Sequence, residues 1–375
     1  MSQVTIKPIA FHTKEVMDFI KFPWKIYKGD VNWVPPLLMD MKKRMNPNKD
    51  PFFKIAEMQL FMAYRNGEAV GRIAAIKNNL SMEYQSNKLG YWGYFECIND
   101  QEVANALFRT AEDWLRQRGL DRAQGPANPS SNHEYGLLTE GFDDSPRLMM
   151  TYNPPYYEQL IENDQYQVAQ VLLAYKLDRN SVDGNPKFPR IAQIAAKRNN
   201  VTLRPVNMKK MREDLAIIKE IYNKAWEKNW GFVPMTNDEI DALAEDLKPL
   251  VVPELALFAE IEGKAIGFIL AVPDYNFIFK QMNGHLFPFN FLKLYTQRKK
   301  MKWLRIIIMG VLPEYRQRGI DAVMYYDIVK RGREMGMEYG EASWILESNT
   351  MMTRSAERVL NGTAYKKYRV YEKAL

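Results

Sequence analysis

The chain is 375 residues long, 46% of its residues are hydrophobic and 13% are aromatic, and its formal net charge is +7. A chain of this length and composition is typical of about two globular domains with sizeable cores. Its single cysteine excludes an intrachain disulfide, no apolar run reaches the ~18 residues of a membrane span, and its three histidines are too scattered to form a metal-ligand motif.

The first elements predicted along the chain recur about 200 residues further on. The matching pairs are Val4–Pro8 with Val201–Pro205, Trp33–Pro35 with Phe232–Pro234, Asn66–Gly71 with Glu262–Gly267, Arg118–Gly119 with Met335–Gly336, and Ser131–Asn132 with Ser348–Asn349. The matching segments occur in the same order in both copies. The number of residues between the two members of a pair is nearly constant, except that it increases by about twenty before the last two pairs. The sequence therefore predicts two diverged copies of one fold, the second with an insertion.

Each copy is predicted to begin with a short strand and a helical region, followed by a hairpin whose turn glycine supplies positive φ. An apolar strand then leads into a helix, which in the first copy ends at Gly119. In the second copy the strand Ile306–Leu312 is apolar on both faces, as expected of a buried central strand. The helix after it runs from Ile320 to Gly336, and a last strand follows at Glu341–Leu346.

These elements divide the chain into two predicted domains. The first covers residues 1–179 and the second residues 201–375, with the insertion at about 275–302. Residues 180–200 are predicted to form a linker and a helix, because Asn180–Lys187 is polar and contains glycine and proline.

The loop between the apolar strand and the helix of the second copy has the pattern of an anion-binding site. It reads Arg316, Gln317, Arg318, Gly319 and Ile320. Backbone N–H groups at a helix N-terminus, with a glycine that permits close approach, form a nest for a diphosphate, and the arginines add positive charge. An ordinary turn with solvated arginines has the same pattern, so the loop alone leaves both interpretations open.

The hairpin, the apolar strand, the Arg-x-x-Gly loop, the helix and the last strand together resemble the GNAT superfamily, the general-control-related N-acetyltransferases. In that family a Gln/Arg-x-x-Gly-x-Gly/Ala pattern binds the pyrophosphate of acetyl-CoA. Asp321 departs from it at the sixth position. The resemblance covers nearly all of residues 201–375 and extends more weakly to the first copy. It implies an α/β fold of two tandem GNAT-like acyl-CoA N-acyltransferase domains, each a mixed, mostly antiparallel sheet flanked by helices.

The resemblance also implies a binding site for acetyl-CoA or another acyl-CoA as co-substrate. The residues that would pair with pantetheine are Met309, Gly310, Val311 and Leu312, and those that would hold the pyrophosphate are Arg316, Gln317, Arg318, Gly319 and Ile320. Asn349 stands where such enzymes often place an asparagine after the fifth strand, although a helix cap is the favoured interpretation. The first copy has Asn99–Ala104 in place of the loop, without glycine or arginine, and is predicted to be a support or acceptor-binding domain.

Glu347 is the candidate catalytic base. The strand Ile306–Leu312 lacks the glutamate that the family commonly carries there, and Glu347 lies at the carboxyl end of the next strand, where α/β sites open. A solvated strand-end glutamate is the alternative. The family's general-acid tyrosine is absent from Thr350–Leu360.

The sequence thus predicts a cytoplasmic, CoA-dependent N-acyltransferase that acts on a small-molecule or peptide amine, without a metal, a nucleic-acid partner or a transmembrane segment. The alternatives are a non-catalytic binding protein of the same fold and an aminoacyl-tRNA-dependent transferase. The insertion is predicted to be a mobile lid over the acceptor site or an acyl-chain channel. Binding to an anionic membrane surface and packing between the two copies are its alternatives.

Overall fold

A computed structural model describes residues 3–85 and 87–375, which form two compact units. The first unit contains the chain up to Leu172 together with Ile278–Leu294 and Lys366–Leu375. The second contains Leu173–Phe277 and Tyr295–Tyr365. Part of the insertion and most of the last strand therefore fold with the first unit. Within the described residues, no helix has both the length and the apolar character needed to cross a membrane.

The elements up to the sixth helix all belong to the first unit. They are β1 (Thr5–Ile9), α1 (Glu15–Lys21), α2 (Pro23–Ile26), α3 (Leu38–Arg44), β2 (Ala56–Arg65), β3 (Glu68–Asn78), α4 (Asn79–Gln85), β4 (Leu89–Cys97), α5 (Gln101–Arg116), β5 (Arg122–Gly125), β6 (Ala127–Asn128), β7 (Glu134–Tyr135), β8 (Leu137–Glu140) and α6 (Tyr157–Asn163).

The remaining elements begin with the strand that leads into the second unit. They are β9 (Gln167–Asp178), α7 (Arg179–Asp183), α8 (Lys187–Asn199), β10 (Thr202–Pro205), α9 (Met211–Trp226), α10 (Asn237–Leu247), β11 (Ala256–Ile261), β12 (Lys264–Pro273), α11 (Asn276–Phe279), α12 (Lys293–Thr296), β13 (Trp303–Val311), α13 (Ile320–Glu334), β14 (Tyr339–Leu346), α14 (Thr350–Arg354) and β15 (Thr363–Ala374).

The sheet of the first unit has the strand order β1-β2-β3-β4-β5-β15. Its pairs are antiparallel except β4 with β5, which is parallel. Helix α5 packs on this sheet through positions four residues apart, and Val103, Leu107, Ala111 and Leu115 are all buried, as the sequence pattern predicts. Asp100 caps the helix, and Gly119 follows it with φ of 74°.

The sheet of the second unit has the order β9-β14-β13-β12-β11-β10 and repeats the arrangement of the first. Its parallel pair is β13 with β14, and the pairs from β13 through β12 and β11 to β10 are antiparallel. In both units a two-residue turn with positive φ closes the hairpin: Asn66-Gly67 joins β2 to β3, and Glu262-Gly263 joins β11 to β12. The predicted repeat and its mixed, mostly antiparallel sheets are confirmed.

Candidate active site

Strands β13 and β14 are paired only near their beginnings, where Trp303–Ile306 lie beside Tyr339–Ala342. Beyond Ile306 the two strands diverge, and the side chains of Ile306–Met309 are partly exposed although β13 is a central strand. The prediction that this stretch is buried on both faces is wrong, because the diverging strands leave an open crevice. A crevice at the carboxyl ends of parallel strands is where α/β folds bind ligands.

Side chains of the second unit already bond two backbone carbonyls of β13. The indole Nε1 of Trp226 donates to the Met309 carbonyl at 3.2 Å, and the Arg316 Nε donates to the Val311 carbonyl at 3.3 Å. The Arg316 guanidinium also donates to the Ala225 carbonyl at the end of α9. Arg316 thus ties the loop to β13 and α9, and any anion bound by this loop would be held mainly by backbone groups.

The loop enters α13 through left-handed backbone conformations at Gln317, with φ of 62°, and Gly319, with φ of 77°. Gly319 is the N-cap residue, and no side chain of the described residues caps the helix. A Cβ atom on Gly319 would lie 3.0 Å from the Cβ of Ala195 in α8. Both φ and this close approach favour glycine, and the resulting nest is the geometry that binds phosphate groups.

Helix α8, which lies in the segment predicted to form a linker and a helix, supports this loop. The side chain of Asn199 donates to the Arg318 carbonyl at 3.1 Å, and Phe188 contacts Tyr326 of α13 edge-on, with ring centroids 5.6 Å apart. The exposed Arg318 guanidinium stacks on Tyr315 and donates to the carbonyl of Glu314.

Asp321, which departs from the GNAT pattern, is bonded away from the backbone of the loop. Its carboxylate accepts a hydrogen bond of 3.3 Å from the hydroxyl of Ser355, in the turn that continues α14. This contact turns the carboxylate toward α14, while its negative charge stays at the start of α13.

The equivalent helix N-terminus in the first unit carries its own anion. The Asp100 carboxylate accepts from the Val103 N–H at 3.2 Å and pairs with Arg65 at 2.6 Å, and Glu102 pairs with the same arginine at 2.8 Å. The Arg65 hydrogen bond lowers the pKa of Asp100, which keeps the carboxylate charged. An intramolecular carboxylate thus occupies the position that a ligand phosphate would take.

Glu347 is exposed and directly follows β14, at the open end of the crevice. Its charge acts on Tyr175 of β9, a residue that the sequence analysis missed. Burial, followed by the hydrogen bond and charge of Glu357 and then the charge of Glu347, raises the pKa of Tyr175 to about 12. The Tyr175 hydroxyl donates to Glu357 at 2.9 Å. Tyr175 itself is buried on β9, which pairs with β14 on the side away from β13, so of the two groups only the solvated carboxylate of Glu347 lies at the crevice.

A buried polar cluster lies below the crevice, between the paired parts of β13 and β14. Glu341 is fully buried, accepts hydrogen bonds from the hydroxyls of Ser343 and Tyr365, and has an oxygen 3.6 Å from the Arg305 Nε. Arg305 also donates to the Ser343 hydroxyl at 3.0 Å. Its burial and its partners give Glu341 a structural role.

Asn349 caps the following helix. Its side-chain oxygen accepts from the Met352 N–H at 3.2 Å at the start of α14. The favoured interpretation of this residue as a helix cap is confirmed.

An apolar cavity opens on the face of the sheet that α9 and α10 cover. Its internal volume is about 80 Å³, and it is partly open to solvent. Its lining includes Leu215, Tyr222, Leu243, Phe268, Leu270 and Ile308. Ile308 lies in the partly exposed stretch of β13, so the cavity reaches the strand where the crevice begins. Its apolar lining suits a hydrocarbon group.

The first unit carries a different buried carboxylate, Glu96 of β4. It accepts a hydrogen bond of 2.8 Å from Tyr157 and has an oxygen 3.6 Å from an Arg72 nitrogen. Burial raises its pKa from near 4.5 to about 6, against the opposing effects of Arg72 and Tyr157.

This raised pKa predicts a pH-dependent contribution to stability. Between about pH 4.5 and 6 the folded state holds more protons than the unfolded state, so the contribution of Glu96 to the free energy of unfolding falls as pH rises, by about 2 kcal/mol in all. Glu96→Gln removes this dependence. Urea unfolding at pH 4 and pH 7.5 should show the variant gaining about 2 kcal/mol relative to the unmodified protein.

The matched control is Glu140→Gln, since Glu140 is 60% exposed and forms a surface pair with Lys367. The difference in free energy of unfolding between this variant and the unmodified protein should stay nearly constant over the same pH range. An equally constant difference for Glu96→Gln would contradict the raised pKa.

Comparison with known proteins identifies the class to which this fold and site belong. The sequence profile of the Acetyltransferase (GNAT) family matches residues 215–360. A solved tandem GNAT protein from the clavulanic acid biosynthesis pathway is similar over 99% of this chain and 98% of its own, with a TM-score of 0.59 and 11% identity, which shows a shared fold. The chain belongs to the GNAT superfamily as a tandem-domain member.

Two relatives match nearly the whole chain. A protein of Caulobacter vibrioides named bacterial ceramide synthase is 40% identical over 371 residues, covering 96% of this chain and 95% of the relative. Protein YghO of Escherichia coli is 35% identical over 363 residues, covering 95% and 92%. The family and the name of the first relative point to acyltransferase activity.

Proposed function

We propose that this protein is an N-acyltransferase that transfers a long-chain acyl group from coenzyme A to an amine. The observation that carries the proposal is the apolar cavity beside β13, in a unit whose open loop at α13 suits a diphosphate. The relative named ceramide synthase supports it, because a ceramide is the amide of a fatty acid and a long-chain amino alcohol. We infer that the acceptor here is an amine of that class.

The residues of the second unit fit an acyl-CoA. Gly319 opens α13 without a side-chain cap, and Asp321 is bonded to Ser355, so the loop backbone is suited to the pyrophosphate. We place pantetheine along Met309–Leu312, where it could not pair with the Met309 and Val311 carbonyls, because Trp226 and Arg316 already donate to them. The thioester supplies an activated carbonyl and a thiolate leaving group.

One side chain at the open end of the crevice suits the proton transfer that amide formation requires. An amine attacks only when deprotonated, so a base must take its proton directly or through a water molecule. We assign this role to Glu347, which is exposed at the open end of the crevice.

Thermal unfolding with and without ligand tests the donor site. Ligand at a hundred times its dissociation constant stabilises the folded protein by about 2.7 kcal/mol, which is a rise in Tm of roughly 5–10 °C for a unit of this size. We expect this rise with coenzyme A and a larger one with palmitoyl-CoA. Gly319→Glu should abolish both, because its side chain and charge would occupy the nest.

Gly336→Glu is the matched control for backbone strain. Gly336 follows the other end of α13 and has φ of 81°, close to the 77° of Gly319, with open space around it. This variant should keep the rise in Tm. The absence of any rise with millimolar coenzyme A in the unmodified protein would favour the non-catalytic binding protein, and salt-dependent retention of aminoacyl-tRNA would favour the tRNA-dependent enzyme.

Leu243→Trp tests the cavity in the same assay, because the larger ring fills space that the acyl chain requires. It should remove the additional rise in Tm given by palmitoyl-CoA and leave the rise in Tm given by coenzyme A. The control Leu243→Met conserves the side-chain volume and should keep both rises. If palmitoyl-CoA still stabilises Leu243→Trp but a long-chain amino alcohol no longer does, the cavity holds the chain of the acceptor.

A further inference from the structure

Helix α8 of the second unit carries an exposed stripe of basic and apolar side chains. The members of this basic stripe are Lys187, Arg190, Ile191, Ile194, Lys197 and Arg198. Their spacing of three or four residues per turn places them on one side of the helix. All six are exposed, Ile191 at 41% and Ile194 at 55%. The buried side chains of Phe188, Ala192 and Ala195 lie on another side, which packs against α13.

The cations of the basic stripe are not neutralised by the unit that carries them. None of the four forms an ion pair within the part of the chain that the structure describes. Residues 184–212 around the helix include eight lysines and arginines and no aspartate or glutamate. The arginines of the neighbouring α13 differ, because Arg331 pairs with Asp327 and Arg333 pairs with Asp183. The basic stripe therefore suits a partner with an acidic surface.

The basic stripe ends beside the loop that opens α13. Asn199 directly follows the last member of the stripe, and its side chain donates to the Arg318 carbonyl at 3.1 Å. One turn earlier, Ala195 lies against Gly319, where an added Cβ would be 3.0 Å from its own. A partner bound to the stripe would thus lie next to the loop to which we assign a phosphate. This position favours a partner that delivers the acyl donor over a surface unrelated to the reaction.

Asp321 bears on the kind of phosphate that this loop binds. Its hydrogen bond with Ser355 keeps the carboxylate away from the loop backbone, but the negative charge remains at the start of α13. A single phosphodiester carries less negative charge than a diphosphate, so it meets less repulsion there. A phosphodiester joins phosphopantetheine to a carrier protein, whereas a diphosphate joins it to the nucleoside of coenzyme A.

We propose that α8 docks an acidic acyl carrier protein, which delivers a long-chain acyl group to the loop at α13 on its phosphopantetheine arm. This inference rests on the proposed acyltransferase function and adds a second donor to coenzyme A. The basic side chains of the stripe bind carboxylates of the carrier, and the two isoleucines pack at the centre of the contact. The transfer forms the amide C–N bond, breaks the thioester C–S bond, and leaves the arm as a thiol that takes the proton lost by the amine.

Steady-state acyl transfer by the full-length protein to a long-chain amino alcohol tests this proposal with two donors. The donors are palmitoyl-CoA and a purified bacterial acyl carrier protein loaded with palmitate, and we expect transfer from both. The double change Arg190→Glu with Lys197→Glu should lower kcat/KM for the loaded carrier about tenfold or more, because the reversed charges repel an acidic surface. The value for palmitoyl-CoA should change less than about twofold, since exposed charges outside the loop are screened by salt.

The control is the double change Lys209→Glu with Lys264→Glu, which reverses two exposed charges of the same unit outside α8. It should leave kcat/KM for both donors nearly unchanged. Transfer from palmitoyl-CoA but not from the carrier, or an equal fall for both donors in the α8 variant, would overturn the docking proposal and leave the acyltransferase function standing. Transfer from neither donor would contradict the acyltransferase function and the docking proposal together. If the α8 variant kept transfer from the carrier but lost binding to phosphatidylglycerol vesicles, the stripe would be a membrane contact instead.

Discussion

Turnover should fall by about 10²-fold or more when Glu347 is replaced by glutamine, while the affinity for coenzyme A stays nearly unchanged. The amide keeps the shape of the side chain and removes its capacity to take a proton. Because Glu347 is exposed and lies beyond the last residue of β14, the substitution should leave the stability of the second unit intact. Steady-state kinetics with palmitoyl-CoA and a long-chain amino alcohol measure the effect.

Glu338→Gln provides the comparison for Glu347→Gln. Glu338 lies just before the opposite end of β14 and forms a half-exposed pair with Lys302. Its replacement should change neither turnover nor affinity appreciably. If Glu347→Gln also leaves turnover unchanged, Glu347 has no catalytic role. It is then only a solvated glutamate at the end of a strand.

Glu341→Leu should lower the free energy of unfolding by about 3–5 kcal/mol, because it leaves the buried guanidinium of Arg305 without its carboxylate. Both side chains are buried, at 0% and 4% exposure, and the Ser343 hydroxyl links them. Urea unfolding of the purified variant measures the loss. Glu338→Gln again serves as the control, since its half-exposed pair should contribute less than about 1 kcal/mol.

A double-mutant cycle separates this electrostatic coupling from the packing lost in each single change. Arg305→Met combined with Glu341→Leu removes both charges. The double variant should lose clearly less free energy of unfolding than the two single variants lose together. Strictly additive costs would show that the two groups do not stabilise each other in the folded state.

The parts of the fold that the sequence predicted are those with local signals. Asn66-Gly67 and Glu262-Gly263 close hairpins because adjacent positive φ angles suit their residues. Gly336 ends α13 for the same reason. The loop Arg316–Ile320 was found because glycine and arginine occur together between a strand and a helix, an order that is visible along the chain.

The parts that the sequence could not predict depend on contacts between distant residues. Tyr175 comes close to Glu347 only because β9 and β14 are neighbours in the sheet. Arg316 looked like an anion ligand, but the direction of its guanidinium depends on the Ala225 carbonyl, about ninety residues earlier. The partial exposure of Ile306–Met309 follows from the divergence of β13 and β14, since a run of apolar residues indicates a strand without showing where its pairing stops.

The placement of β15 in the first unit has a consequence for biosynthesis. The edge of β5 pairs with β15, which the ribosome makes only after the whole second unit. Because their paired residues Gly125 and Tyr371 are 371 − 125 = 246 residues apart, synthesis at about 5–20 residues per second separates the two strands by roughly 12–50 s, during which β5 has no partner on that side. An unpaired strand edge invites pairing with other chains. We therefore expect nascent chains stalled before Lys366 to need protection by chaperones that completed chains do not.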